Sequence, residues 1–256
     1  MLARSPSRLL GPNDPDPVEV LHPDSAAAVL LVCEHAGRAV PSALDGLGVS
    51  DAVLESHRGW DIGAEAVARQ LAGLLGTPLV LQRYSRLVLD ANRPPGSATS
   101  IPVISHGAEI PANRGLSTAE QQDRVTDILE PMDRAIERAF ATHPRWAAFS
   151  IHSYTPELGG VARPWQAGML TRRSPMTGEA LIASLKRQDP DLMLAMNEPY
   201  RIEDDGDWFI PHHAEPRGIP HTLIEIRNDE IADDAGAERW AALLATAITD
   251  VLEELT

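Results

Sequence analysis

The chain has 256 residues, enough to bury a sizeable core in one α/β domain, and 43% of them are hydrophobic, as in globular proteins. A net charge of −15 argues against a nucleic-acid partner, whose phosphates would be repelled, and no apolar run reaches the roughly 20 residues that a membrane helix needs. Cys33 is the sole cysteine, which excludes an internal disulfide and any multi-cysteine zinc or iron–sulfur centre.

Residues 1–25 are expected to be a loose leader. Arginines occur there without an apolar core for a signal peptide, and Pro12, Pro15 and Pro17 break any regular element. A cytoplasmic location follows as the expectation. Residues 26–256 then read as one domain. Ala27 to Cys33 is a short apolar run with the length of a buried strand. Ile62 to Leu75 has apolar residues at helical spacing, with Asp61 as a candidate N-cap and Gly76 as the stop. Pro78 to Gln82 supplies the second strand of a βαβ-like unit. Residues 93–116 are rich in Pro, Gly and Ser and form a long loop of the kind that covers a binding site. A helix opens at Ser117, with Glu120 completing a capping box, and runs to about Ala141 with a kink at Pro131. Strands at Trp146 to Ile151 and Gln166 to Thr171, a helix near Gly178 to Arg187, a strand at His221 to Ile226 and a helix from Ala235 to Leu255 complete the pattern. Alternating strands and helices predict a single-domain α/β/α sandwich with a mostly parallel or mixed sheet, which binds ligands at the carboxyl ends of its strands.

That rule directs attention to what stands at those ends. The first strand runs out into Glu34 and His35, the Trp146 strand into His152 and Ser153, and the His221 strand carries Glu225 and finishes at Arg227. Histidine and carboxylate thus converge from three strands on one edge. Catalytic zinc takes three such ligands and leaves a fourth position for water. His35 and His152 are two candidates; the third is Asp61 or Glu34. Asp61 is favoured, because neighbouring strand residues point to opposite faces and Glu34 adjoins His35. Glu225 is the candidate general base. The competing structural readings are a helix cap for Asp61, hydrogen-bonded strand-end histidines, and a buried ion pair for Glu225.

The segments CEHAGRAVP, HRGWDIGA, YSRLVLDANRPP, SIHSYTP and HHAEPRGIPHTLIEIRND, in this order, resemble the N-formylglutamate amidohydrolase family from about Val29 to the terminal helix. The resemblance implies a zinc-peptidase (phosphorylase/hydrolase)-like fold, with residues 26–256 as the catalytic domain. It also implies hydrolysis of the amide of an N-formyl amino acid, a small-molecule substrate, to formate and the free amino acid. Carried over residue by residue, it makes His35, Asp61 and His152 the zinc ligands and Glu225 the catalytic glutamate. Glu34 departs from the family's first motif, which is closer to S-x-P-H-A-G, and puts a negative charge beside the metal. There it orients a ligand from behind, serves as the alternative ligand, or disfavours a doubly anionic substrate. His213, rather than its neighbour His212, matches a family histidine that assists catalysis. Arg86, Asn92, Arg93 and Arg227 are candidates for binding the substrate, since arginine's planar fork suits a carboxylate. The arrangement is also similar to that of zinc-dependent N-acetylmuramoyl-alanine amidases, so a peptidoglycan-fragment amidase is the alternative enzyme. A binding protein without turnover is the alternative of a different class.

Overall fold

The computed structural model describes residues 9–255, built around a seven-stranded sheet with helices on both faces. The sheet strands are β1 (Val18–Leu21), β2 (Val29–Cys33), β3 (Leu79–Gln82), β6 (Ala147–Tyr154), β9 (Ala167–Leu170), β10 (Leu194–Met196) and β11 (His221–Arg227). Two small hairpins, β4 (Ile104–Ser105) with β5 (Ala108–Glu109) and β7 (Glu157–Leu158) with β8 (Val161–Ala162), interrupt that sequence. The helices are α1 (Asp51–Glu55), α2 (Ala64–Leu75), α3 (Thr118–Arg124), α4 (Glu130–Thr142), α5 (Pro175–Gln188) and α6 (Asp234–Leu255).

The strand order is β1-β3-β2-β6-β11-β9-β10. The central four, β3, β2, β6 and β11, are mutually parallel, so their carboxyl ends share one edge. β1 and β9 run antiparallel to their neighbours β3 and β11, which makes the sheet mixed but mostly parallel, as the alternation of elements implied. Buried residues alternate between two cores, as the strand period of two requires. Leu31, Phe149, Ile151, Ile224 and Ile226 pack with α2, α5 and α6. Leu30, Val32, Ala148 and Leu223 pack with α4 on the other face. Ser150, His152 and Glu225 continue this second face toward the carboxyl edge, where its apolar packing stops.

Three details differ from the sequence expectation. Residues 18–21, expected within the leader, form β1: Val18 and Val20 turn toward the α4 side and Leu21 toward the other core. The first eight residues of that leader lie outside the described residues. β10 was not expected at all. Asp61 is not the cap of α2, because Gly63, at φ 80°, takes the position before the helix and Asp61 turns its carboxylate elsewhere. The capping box at Ser117 and Glu120 is present. Between α3 and α4 the backbone widens into a π-turn over residues 125–129, just ahead of Pro131, which has no N–H to continue the ladder. No described helix is long and apolar enough to cross a membrane.

Candidate metal centre

His35 follows β2 by two residues, at the point where the chain turns off the sheet. An ideal Cβ at Gly37 would lie 2.0 Å from the Arg83 carbonyl oxygen, so only glycine lets this turn close against the neighbouring loop. The Asp61 backbone N–H donates to the His35 carbonyl at 3.0 Å, which fastens the segment before α2 to the same turn. His152 lies within β6, and Glu225 of β11 is its register partner, so the two side chains stand side by side on one face.

Among the described residues, the buried side chains of His35, Asp61 and His152 form a cluster able to hold a metal ion. His35 Nδ1 lies 3.1 Å from His152 Nδ1, His152 Nδ1 lies 2.9 Å from Asp61 Oδ2, and Asp61 Oδ2 lies 3.4 Å from His35 Nδ1. Ligand atoms at ordinary zinc bond lengths in a tetrahedron are about 3.3 Å apart. This triangle therefore has the size of three corners of such a site.

The far nitrogen of each imidazole is held by a carboxylate. His35 Nε2 is 2.6 Å from Asp90 Oδ1, and His152 Nε2 is 3.0 Å from Glu34 Oε2. Such carboxylate–histidine pairs orient ligating rings and raise their basicity. Glu34 stands behind His152, not in the ligand triangle, and Ser150 Oγ donates to the same carboxylate. Arg86 closes the network, donating to Asp61 Oδ1 at 3.2 Å and to Asp90 Oδ2 at 2.8 Å.

Burial works to raise the Asp61 and Asp90 carboxyls, but their neighbours overcome it: His35 and the hydrogen bond from His152 at Asp61, the Arg86 guanidinium and His35 at Asp90. Both groups lie well below the usual carboxylate range. Burial opposes charge on His152 as well, yet Glu34 and Asp61 hold its pKa well above the ordinary histidine value. With both imidazoles neutral, the carboxylates of Glu34, Asp61 and Asp90 outnumber the Arg86 guanidinium by two charges, and Glu225 adds a third when ionised. A divalent cation offsets most of this excess.

Glu225 is the outlier. Burial, with the Asp61 carboxylate adding to it, pushes its pKa up to about 7 against the opposing pull of His152 and Arg86, and its Oε2 has no hydrogen-bond partner. It faces a cavity of about 350 Å³ shared with His35, His152, Arg86, Asn92 and Arg93. Arg93 makes no ion pair or side-chain hydrogen bond among the described residues. Asn92 is engaged within the protein: Nδ2 donates to Asp207 Oδ1 at 3.1 Å, and Oδ1 accepts from the Trp208 and Phe209 amides. It anchors the cavity wall rather than offering a free amide.

Two of the expected site residues lie away from both this cavity and the ligand triangle with its supporting carboxylates. Arg227 folds back at the end of β11 onto Asp229, Glu230 and the Pro164 carbonyl. His213 turns to α4, where Asp133 and Glu137 take its two nitrogens at 2.9 Å each. Its neighbour His212 stacks on Trp208 with ring centroids 3.9 Å apart. Residues missed in the sequence belong to the site as well, among them Asp90, in the loop after β3, and His57 and Tyr200 in the cavity wall. His57 stands four residues before Asp61, and burial pushes its pKa down to about 4. Its place in the HRGWD segment was the available signal.

Residues 27–232 match the model of the N-formylglutamate amidohydrolase family. In structure the chain is similar to the Atu2144 gene product of Agrobacterium tumefaciens, with 34% sequence identity and a TM-score of 0.91 over 97% of this chain and 99% of that one. It is also similar in fold to an N-formylglutamate amidohydrolase from Ralstonia eutropha JMP134, with 18% identity and a TM-score of 0.68 over 94% of this chain and 100% of the other. None of the curated proteins matches the sequence.

Proposed function

The chain belongs to the N-formylglutamate amidohydrolase family, and from that premise we propose that it is a zinc-dependent hydrolase cleaving the amide of an N-formyl or other small N-acyl amino acid. The observation that carries this reading is the triangle of His35 Nδ1, Asp61 Oδ2 and His152 Nδ1, backed on each imidazole by a carboxylate. Those three atoms would hold the zinc. Bound there, the ion would acidify a water and polarise the scissile carbonyl.

The protein's own groups supply the rest. Glu225, ionised, accepts the proton of the attacking water and then delivers it to the departing nitrogen. A carboxyl with a pKa near neutrality suits both halves of that transfer. Asp90 and Glu34 fix the tautomer of each imidazole, so that the nitrogen facing the triangle carries a lone pair. Arg86 holds Asp61 and Asp90 in place, and is not free to bind substrate. Arg93 is free, and its guanidinium takes the substrate's carboxylate. A cavity of this volume suits a single amino acid derivative rather than a glycan strand.

Replacing Asp90 by asparagine is expected to weaken zinc binding about 10- to 100-fold, since the His35 ring exchanges a charged acceptor for a neutral amide and Arg86 loses one of the carboxylate oxygens that fix the pair. Competition against a chelator of known affinity measures this. Unchanged affinity would remove Asp90 from the metal's support. The reading as a whole is tested by zinc content together with hydrolysis of N-formyl amino acids.

A further inference from the structure

Tyr200 lines the cavity, and no step above uses it. Its position is set by β9. The Glu198 carbonyl crosses directly over Gly168, where an ideal Cβ would lie 1.6 Å from that oxygen, so a side chain at 168 would push the segment away. The crossing is pinned by the Asn197 amide donating to the Met169 carbonyl at 3.0 Å and by Asn197 Oδ1 accepting from the Thr171 amide at 2.9 Å. Gly168 is also the register partner of Glu225. Tyr200, two residues past the crossing, is thereby held at the Glu225 end of the cavity.

The hydroxyl is set up as a donor. Arg163 Nη1 donates to the Tyr200 oxygen at 3.0 Å, and the same guanidinium lies 5.0 Å from the Tyr200 ring centroid and 5.6 Å from that of Tyr154. Arg163 is 8% exposed and pairs with no carboxylate among the described residues; its other side-chain contact is the Thr155 carbonyl. A buried guanidinium without a counter-ion places its charge on the nearest lone pair, here the phenol oxygen. With that oxygen already accepting, its own proton is left to be given away, and no described residue takes it. Burial and the Glu225 carboxylate raise the phenol's pKa, so the proton stays in place at neutral pH.

We propose that Tyr200 is a catalytic residue whose O–H donates to the oxygen of the scissile carbonyl as that oxygen gains charge, with Arg163 as the positioning residue that polarises the hydroxyl. This rests on reading the cavity as an N-acyl amino acid hydrolase. No bond is made or broken at Tyr200; it supplies a hydrogen bond that strengthens in the transition state.

The test is steady-state kinetics of the zinc-loaded protein on N-formyl-L-glutamate for the parent, Tyr200→Phe, Arg163→Gln and the double variant. Tyr200 is partly exposed, and phenylalanine keeps its ring. Loss of one such donor should lower kcat about 100-fold with KM little changed. Arg163→Gln should lower kcat in the parent background and have no further effect when Tyr200 is already phenylalanine. Unchanged kcat in an active Tyr200→Phe variant overturns the assignment while leaving the hydrolase reading intact. A rise in KM alone also overturns it, since that makes Tyr200 a ground-state contact. Equal Arg163→Gln losses in both backgrounds make Arg163 a purely structural residue and break the proposed pairing. A parent protein without turnover overturns both the inference and the reading beneath it.

Discussion

Replacing Glu225 by glutamine is expected to lower kcat by about 10²- to 10⁴-fold while zinc content stays at the parent level. Glutamine keeps the shape of the side chain but cannot accept the water's proton, and Glu225 lies outside the ligand triangle. The pH profile should separate this from a loss of structure. A base must be ionised to act, and the Glu225 carboxyl sits at about pH 7 without metal; a nearby cation pulls that value down. Activity of the parent should therefore fall on an acid limb below neutrality, and the limb should be missing from the residual activity of the variant.

Stability carries the same signature with a definite sign. The folded pKa of Glu225 is raised above its ordinary value of 4.5 to about 7, so the folded state favours the protonated form. Ionising it destabilises the protein progressively as pH rises through that window. Zinc-free Glu225→Gln should accordingly melt above the zinc-free parent on the alkaline side of pH 7, and the advantage should shrink as pH falls toward 4.5. A variant that keeps its turnover, or an advantage that does not vary with pH, would refute the role of a buried base.

Replacing His152 by alanine is expected to remove zinc. Two ligand atoms remain, and if zinc's binding free energy of about 10–16 kcal/mol is spread over four donors, losing one costs on the order of 10²-fold in affinity or more. A second effect comes from the rear of the ring. Glu34 loses the imidazole on its Oε2 and keeps only Ser150, while its Oε1 already has no partner. A buried carboxylate stripped of its partner typically costs about 3–5 kcal/mol. The zinc-free variant should therefore melt below the zinc-free parent, unlike Glu225→Gln. Metal analysis after dialysis and melting curves check the two effects. Stoichiometric zinc in His152→Ala would show that the ligands lie elsewhere.

His35, His152 and Glu225 were legible in the sequence because each ends or occupies a short apolar run, and alternation with helices implied parallel strands. Parallel strands carry their carboxyl ends to one edge, so three residues far apart in sequence converge without any knowledge of the loops. Asp61 and Glu34 could be ranked only by the alternation of strand faces. The structure arranges them otherwise than that argument supposed: the turn after Cys33 brings both Glu34 and His35 to His152, one at each nitrogen of its ring. Asp90 was not legible because its position at His35 depends on the path of the loop after β3.

Arg227 and His213 show the limit from the other side. Arg227 shares a strand face with Glu225, but β11 ends there and the acids of the following turn capture the guanidinium. His213 sits opposite Asp133 and Glu137, four residues apart on α4 and so on one helix face. The acids that hold Arg227 stand two and three residues beyond it in the sequence, whereas the partners of His213 lie 76 and 80 residues before it and leave no trace in its local spacing. β1 and β10 were missed for a simpler reason: four and three residues, one next to prolines and the other Leu-Ala-Met, give too little period to detect.

The most direct measurement is hydrolysis as a function of zinc. Protein stripped with a chelator is re-supplied with zinc and assayed for release of formate and free amine from N-formyl-L-glutamate and a set of neutral N-formyl and N-acetyl amino acids. Turnover that is absent from the stripped protein and saturates at one zinc per chain is the predicted result. No amine release from any of these substrates at saturating zinc, or turnover that persists undiminished after the metal is removed, would contradict it.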